Sequence, residues 1–218
     1  TAIRRQRQMC IRDSTYGDKD VRIISKERIY DGFLKFSKVK CCFKLFKGGW
    51  SSYVTRELIE KEEAVGVILY DEKNDLVGII EQFRVGAIKS SFNAWQFEIV
   101  AGMVGRDESL EEVAKREVLE ETGICVSELC PIISYLPSAG VSDEKMNLFC
   151  GYADLINKSG HFGLESENED IKLHVWSFDE AMQGLYGGYF NSAASIIALQ
   201  WLEKYLSLIH ISEPTRHL

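Results

Sequence analysis

The sequence predicts an α/β (α+β) fold in which helices cover a mixed β-sheet, preceded by a small N-terminal antiparallel sheet. Two observations support this prediction. Short apolar runs typical of strands recur along the chain, whereas the amphipathic patterns of helices occur near its middle and at its end. Helices packed on a sheet bury the apolar surfaces of both, so this distribution favours layers of helix and sheet.

Strand-like patterns dominate the first half of the chain. Short β-prone runs broken by glycine-rich turns between residues 21 and 57 predict the small antiparallel sheet. The apolar runs at residues 64–70 and 76–83 flank a segment of turn composition, so we expect them to pair as a hairpin in the core. A third run, at residues 95–100, is expected to form the next strand.

The best-defined predicted element is a helix over residues 109–122. Ser109 suits the N-cap, Glu112 completes a capping box with it, and Gly123 suits the C′ position. The elements expected after this helix are strands over residues 132–136, 147–153 and 172–176, an acidic loop over residues 160–170, a helix over residues 178–185, and a helix capped by Asn191 or Ser192 that ends at Tyr205.

The composition is that of a globular protein and excludes several classes. Hydrophobic residues make up 45% of the chain, and no run approaches the ~20 apolar residues that a membrane helix requires. A net charge of −7 disfavours a protein whose main task is to bind nucleic acid or an anionic membrane. The six cysteines form no CxxC pair, which favours reduced thiols over a zinc site. We therefore expect a cytoplasmic protein without nucleic-acid or membrane partners.

Two acidic residues of the predicted helix stand on its apolar side. Glu117 and Glu121 fall within the apolar arc, whereas Glu111 and Glu112 lie on the opposite face. Buried carboxylates one turn apart repel each other and require a compensating cation. Oxygen ligands without Cys or His suit Mg²⁺ or Mn²⁺ shared with phosphate oxygens, so the helix predicts a metal-bound phosphate ester or anhydride. The alternative is an ordinary solvated acidic face.

The residues around this helix resemble the complete Nudix box. The matching positions are Gly102, Glu108, Arg116-Glu117-Val118, Glu120-Glu121 and Gly123-Ile124. The resemblance implies a Nudix α/β/α sandwich with a loop–helix–loop site for divalent cations, Mg²⁺ with Mn²⁺ as a substitute. It assigns Glu117, Glu121 and the backbone oxygen of Ala101 to the metal, Glu120 to the catalytic set, and structural roles to Arg116 and Glu108.

Beyond the box, residues from about 20 to 201 resemble the bacterial ADP-ribose pyrophosphatase subfamily, notably in the runs 80–84, 98–103, 165–171 and 193–201. This resemblance implies Mg²⁺-dependent hydrolysis of the pyrophosphate of ADP-ribose to AMP and ribose 5-phosphate. One alternative is a related nucleotide-sugar diphosphatase, for instance one acting on GDP-mannose. Another is a Nudix domain that senses ADP-ribose without hydrolysing it.

The same resemblance assigns the substrate contacts. They are Phe33 stacked on adenine, Arg56 and Arg84 at phosphate or nucleotide, Glu57 as a further substrate contact, and Met103, Ser138, Gly140 and Glu144 around the terminal ribose. The alternatives are a hydrophobic strand residue for Phe33 and a surface strand end for Arg84. The loop over residues 139–144 departs from the subfamily, which usually has two glycines before its Thr or Ser.

In this subfamily the N-terminal sheet is exchanged between two subunits. The resemblance therefore implies a homodimer in which Phe33 and Arg56 serve the site of the partner subunit.

The acidic loop is the second place where chemistry is expected. A base that positions water in line with the scissile bond is needed, and the run at residues 165–170 can offer one. By resemblance, Glu167 activates the attacking water and Glu169 binds a metal when the loop closes, with Gly160 and Gly163 allowing that movement. The alternative is a solvated charged loop.

The two ends of the chain differ from its middle. Residues 4–14 and 206–218 lack periodic patterning and resemble translated sequencing adaptors, the alternatives being a natural basic arm and a natural tail. Four segments are therefore predicted. They are a non-native segment at 1–14, an N-terminal β-sheet dimerisation subdomain at 15–57, a Nudix hydrolase domain at 58–205, and a second non-native segment at 206–218.

Overall fold

The computed structural model describes residues 16–212, except for the side chains of Glu167 and of residues 209–212. The predicted segment 1–14 and the last six residues of the segment 206–218 lie outside these residues. The chain divides into two compact units, residues up to 61 with 140–143, and residues 62–139 with those from 144 onward. No helix in the described part of the chain is both long and apolar enough to cross a membrane.

Within residues 16–61, the first unit contains the predicted small sheet. Its strands β1 (Val21–Asp31), β2 (Lys35–Phe43) and β3 (Val54–Glu60) pair antiparallel in the order β1-β2-β3. The separate short runs expected in the first strand region form the single long strand β1. Its pairing with β2 shifts register between Ile23 and Ser25 and again between Arg28 and Tyr30, so the strand continues through the interruptions in its apolar pattern.

Residues 140–143 belong to this first unit because they pair with β3. The N–H of Ile59 donates to the carbonyl of Val141 at 2.8 Å, and the N–H of Asp143 donates back to the carbonyl of Ile59 at 3.3 Å. The Asp143 carboxylate also accepts the N–H of Lys61 at 2.9 Å. The middle of the loop over residues 139–144 is therefore held by strand-like hydrogen bonds.

The second unit contains the large mixed sheet. Its strands within residues 62–212 are β4 (Ala64–Asp71), β5 (Leu76–Phe83), β6 (Trp95–Glu98), β7 (Val100–Met103), β8 (Glu128–Tyr135), β9 (Met146–Tyr152), β10 (Gly160–Phe162) and β11 (Ile171–Ser177). The main path runs β10-β11-β5-β4-β9-β8, while β6 pairs with β5 and β7 pairs with β4. The β4–β9 pair is parallel and the other pairs are antiparallel.

Helices cover both faces of this sheet. They are α1 (Leu110–Thr122), α2 (Phe178–Tyr186) and α3 (Ala193–Ser212). Alternate residues of a strand point to opposite faces. Accordingly, Ile80 of β5 packs in a core with α1, whereas its neighbour Ile79 packs in a second core with α2 and α3. The predicted α/β/α sandwich with a mixed sheet is confirmed.

The predicted strand over residues 95–100 is wrong in one respect, since two short strands form there. Strand β6 pairs with β5 and strand β7 pairs with β4, so the chain crosses between neighbouring strands at Ile99. Ile99 is buried, and its N–H donates to the hydroxyl of Ser195 on α3 at 3.1 Å. This contact from a distant helix satisfies the backbone at the break.

Two other segments are more regular than expected. The predicted acidic loop contains β10 and a short 3-10 helix at Glu165–Glu167, because residues 160–162 pair with β11. The last helix does not end at Tyr205 but continues to Ser212, and Leu206 packs against the α2–α3 core. Secondary structure therefore places no boundary at residue 206, and the domain limits given above remain predictions.

Candidate active site

Helix α1 begins and ends where its capping residues require. The hydroxyl of Ser109 accepts the N–H of Glu112, and the carboxylate of Glu112 accepts the N–H of Ser109 at 2.9 Å. Gly123 ends the helix with a φ of 66°, in the left-handed region that favours glycine. These caps set where the helix begins and ends, and the packing of Val113, Ala114 and Val118 in the core decides which face is turned to the sheet.

Strand β7 passes close to α1 because it carries a glycine. A Cβ atom added at Gly102 would overlap the carboxylate of Glu117. A side chain at residue 102 would therefore displace the carboxylate of Glu117 from its present position. This contact places Glu117 directly over the backbone of β7.

Arg116 gathers three carboxylates at the outer edge of the helix. Its guanidinium lies 3.1 Å from Glu108, 2.9 Å from Glu117 and 2.9 Å from Glu120. Burial disfavours the charged guanidinium, but the hydrogen bonds and charges of these carboxylates outweigh it and raise the pKa of Arg116. The contacts agree with the expected structural roles of Arg116 and Glu108.

Glu121 is the buried acid of the site. Its side chain is 3% exposed, and one of its oxygens accepts the N–H of Ala101 at 3.3 Å. Burial, followed by the negative charge of Glu117, raises the pKa of Glu121 to about 8. The charge of Glu169 acts in the same direction, whereas that of Arg84 opposes it. The predicted inward placement of this carboxylate is therefore observed.

The charged form of Glu117 is also disfavoured in the folded protein. Burial raises its pKa even though Arg116 favours the carboxylate, and the charges of Glu120 and Glu169 add to the rise. The inner side of α1 thus holds more negative charge than its neighbouring cations neutralise.

These carboxylates have the chemistry of a divalent-cation site. In the described residues, no three acidic, His or Cys side chains converge closely enough to surround a metal ion. Glu117 and Glu120 instead contact Arg116. Glu121, however, forms no ion pair with any described residue and is crowded by the charges of Glu117 and Glu169. A buried oxygen donor set short of positive charge suits Mg²⁺ or a similar cation, which Glu117, Glu121 and Glu169 would hold.

Arg84 stands at the end of β5 beside this cluster. The Nε atom of its guanidinium lies 2.8 Å from one carboxylate oxygen of Glu98, and the Nη2 atom lies 2.7 Å from the same oxygen. Sequence reasoning missed Glu98, although an acidic residue within the apolar run at 95–100 was a usable signal. The pairing of β5 with β6, which sets Glu98 opposite Ile80, brings it within reach of Arg84.

The other predicted residues of the second unit lie at its surface or in its loops. Met103 is exposed at the end of β7, and Ser138 is exposed in the turn after β8. Glu144 is half-buried, and its charge adds to the burial that raises the pKa of Tyr135. Glu169 accepts the N–H of Leu164 at 3.4 Å.

Four predicted substrate contacts belong to the first unit. Phe33 is 86% exposed in the turn between β1 and β2, and Arg56 and Glu57 are exposed on β3. Gly140 lies in the segment that pairs with β3, and nothing lies within 4 Å of a Cβ atom added there. The side chain of Glu167 lies outside the described residues. The roles of Glu167 and of these four substrate contacts remain predictions.

Comparisons with known proteins agree with this geometry. Residues 60–198 match the NUDIX domain family. The chain is 41% identical over 189 residues to the ADP-ribose pyrophosphatase of Escherichia coli strain K12, which covers 87% of this chain and 90% of that protein. It is 40% identical over 191 residues to the ADP-ribose pyrophosphatase of Haemophilus influenzae, covering 86% and 88%.

A crystal structure of an ADP compounds hydrolase has a TM-score of 0.69 with this chain, at 21% sequence identity. It covers 87% of this chain and 96% of its own. The similarity shows that the two share a fold.

Replacing Glu121 with Gln is expected to stabilise the metal-free protein. The raised pKa means that folding disfavours the charged carboxylate, and Gln keeps the shape and the acceptor for Ala101 without that charge. We expect the Tm in EDTA at pH 7 to rise by roughly 2–8 °C. The exposed Glu111→Gln on the same helix is the control and should change little. A lower Tm for Glu121→Gln would contradict the account of buried charge.

Replacing Gly102 with Ala is expected to destabilise the protein, because the added methyl group overlaps the carboxylate of Glu117 and displaces it from its contact with Arg116. The cost is expected to stay at or below about 1 kcal/mol, since the displaced atoms end a flexible side chain, and urea unfolding measures it. Gly86→Ala is the matched control, since nothing lies within 4 Å of a Cβ atom there. Equal effects of the two substitutions would show that the Glu117 carboxylate moves aside without cost.

Proposed function

Because the chain belongs to the Nudix family, and is a hydrolase of that family, we propose that it hydrolyses the pyrophosphate of ADP-ribose to AMP and ribose 5-phosphate. The observation that carries this proposal is the similarity to ADP-ribose pyrophosphatases over nearly the full length of both chains. The buried carboxylates beside Arg84 support it, since they form a site suited to a phosphate held through a divalent cation.

The reaction requires a nucleophilic water, a base and neutralisation of charge. Water attacks one phosphorus of the diphosphate, the bond from that phosphorus to the bridging oxygen breaks, and the bridging oxygen leaves with the other phosphate. We assign Glu167 to accept the proton of the attacking water. Its position in the 3-10 helix at Glu165–Glu167, two residues before Glu169, supports this assignment.

Nudix hydrolases use divalent cations, and we propose that the cation here is Mg²⁺, with Mn²⁺ as a substitute. Glu117, Glu121, Glu169 and the backbone oxygen of Ala101 would hold the cation. It would supply positive charge near the phosphate oxygens on which negative charge develops. Glu120 stays with Arg116, where it helps to keep Glu117 in place.

Arg84 is proposed to bind a phosphate oxygen directly. Glu98 holds its guanidinium through two N–H groups on one side, so the remaining donors of the planar group are fixed in direction. These remaining donors are available to an anionic phosphate oxygen at the edge of the carboxylate cluster.

We further propose a homodimer with an exchanged N-terminal sheet. Strand β1 is exposed along its whole length, and Ile23, Tyr30 and Phe33 present large apolar side chains to solvent. An exposed apolar edge strand is a surface that proteins usually cover, here by a second copy of the chain. In that dimer Phe33, Arg56 and Glu57 of one chain contact substrate in the site of the other, while Met103, Ser138, Gly140 and Glu144 line the ribose pocket.

Turnover of a panel of nucleoside diphosphate sugars tests the proposed activity. We expect hydrolysis of ADP-ribose to AMP and ribose 5-phosphate with Mg²⁺ and none in EDTA, measured by chromatography of the products. Preferential cleavage of GDP-mannose would replace the proposed substrate with another nucleotide sugar. Binding of ADP-ribose without any turnover would indicate a sensing domain.

Substitutions in the acidic segment separate the base from the metal ligand. Glu167→Gln is expected to lower kcat by roughly 10²–10⁴-fold with an unchanged Mg²⁺ requirement, because it removes the proton acceptor alone. Glu169→Gln is expected mainly to raise the Mg²⁺ concentration needed for half-maximal rate. The exposed Glu165→Gln serves as the control. If neither variant is impaired, the segment is only a solvated surface and Glu120 becomes the first base to test.

A further inference from the structure

Gln82 is a buried residue whose amide N–H is not used by the described part of the fold. It is 7% exposed near the end of β5, and its Nε2 finds no hydrogen-bond acceptor among the residues whose side chains are described. A buried donor without a partner destabilises a protein, and native structures usually give such a group a partner, which can be a protein atom, a bound water or a ligand. Since no described residue supplies an acceptor, a bound ligand is the candidate partner for this donor.

The strand pattern places Gln82 on the face that carries the carboxylates. Side chains of β5 alternate between faces, so Gln82 and Arg84 follow Ile80 on one side. Ile80 packs in the core that contains Val113 and Val118 of α1. The amide of Gln82 therefore lies on the α1 side of the sheet, between the core and Arg84.

Its neighbours along β5 and across β6 are polar, and Arg84 and Glu98 among them belong to the candidate active site. Strand β6 sets Gln96 opposite Gln82 and Glu98 opposite Ile80, and Glu98 holds Arg84. The charge of Arg84 reaches Glu121, whose pKa it lowers against the dominant effect of burial. Gln82 thus lies on the same face of β5 as Arg84, the residue that we assign to phosphate binding.

Gln96 shows that burial alone does not leave an amide unpaired here. It is also 7% exposed, and it lies directly across the sheet from Gln82. The amide of Gln96, however, donates to the backbone carbonyl of Asn93. The two residues share type, strand position and burial, and they differ in whether the fold supplies an acceptor.

We propose that Gln82 is a substrate-binding residue whose amide N–H donates to a diphosphate oxygen beside Arg84. The proposal rests on the proposed function, since it takes the diphosphate as the ligand. A neutral donor suits this position because it binds an anionic oxygen without neutralising the carboxylates that hold the cation.

Gln82→Met tests the proposal, because Met keeps the length of the side chain and removes the donor. We expect the KM for ADP-ribose to rise by roughly 10–100-fold, the factor for a hydrogen bond to a charged acceptor, with an unchanged or higher Tm. Gln82→Glu should raise the KM further, since it opposes the phosphate with a negative charge. The matched control Gln96→Met should lower the Tm, because it loses the bond to Asn93, and should change the KM by less than about threefold.

Equilibrium binding of ADP-ribose in EDTA separates this proposal from the proposed activity. The wild-type chain should bind measurably tighter than Gln82→Met under these conditions, where no hydrolysis occurs. If the wild type binds but does not hydrolyse ADP-ribose with Mg²⁺, the proposed activity fails, and the binding difference still decides the role of Gln82.

Three results would overturn the role of Gln82. Equal binding by the wild type and Gln82→Met would do so. An equal rise in KM for Gln96→Met would assign the effect to the sheet rather than to the free donor. A wild type that neither binds nor hydrolyses ADP-ribose would overturn both proposals.

Discussion

The burial of acidic side chains between α1 and the sheet is the constraint on which the rest of the structure depends. Glu121 is almost fully enclosed, and Glu117 lies against the backbone of Gly102. Capping residues define both ends of the helix, and the glycine at residue 102 leaves room for the Glu117 side chain. Arg116 contacts the carboxylate of Glu117 from the outer edge of the helix. What the described part of the fold leaves without a paired cation is the carboxyl group of Glu121, whose charged form a divalent cation would stabilise.

Local signals predicted the elements that carry the chemistry. The bounds of α1 followed from Ser109, Glu112 and Gly123, since caps are set by residues adjacent in sequence. The elements that were missed depend on contacts between distant segments. The split of residues 95–103 into two strands relies on Ser195, and β10 exists because it pairs with β11. A pattern read along one segment does not contain these partners.

The same division applies to the site. Glu117 and Glu121 could be predicted because two acids within an apolar arc conflict with the helix pattern, and such conflicts are typical of functional positions. The roles of Glu98 and Gln82 could not, because both depend on the register between β5 and β6. That register brings Glu98 beside Arg84. It also sets Gln82 opposite Gln96, and among the described residues the amide N–H of Gln82 has no acceptor whereas that of Gln96 donates to Asn93.

We propose that the buried carboxylates form a cation site that the metal-free chain leaves without a compensating charge. Thermal unfolding of the wild-type chain against Mg²⁺ concentration, at constant ionic strength set with NaCl, decides this. We expect the Tm to rise with Mg²⁺, as it does for a specific ligand of the native state, while NaCl alone produces no comparable rise. A Tm that responds to neither Mg²⁺ nor Mn²⁺ would rule out the cation site.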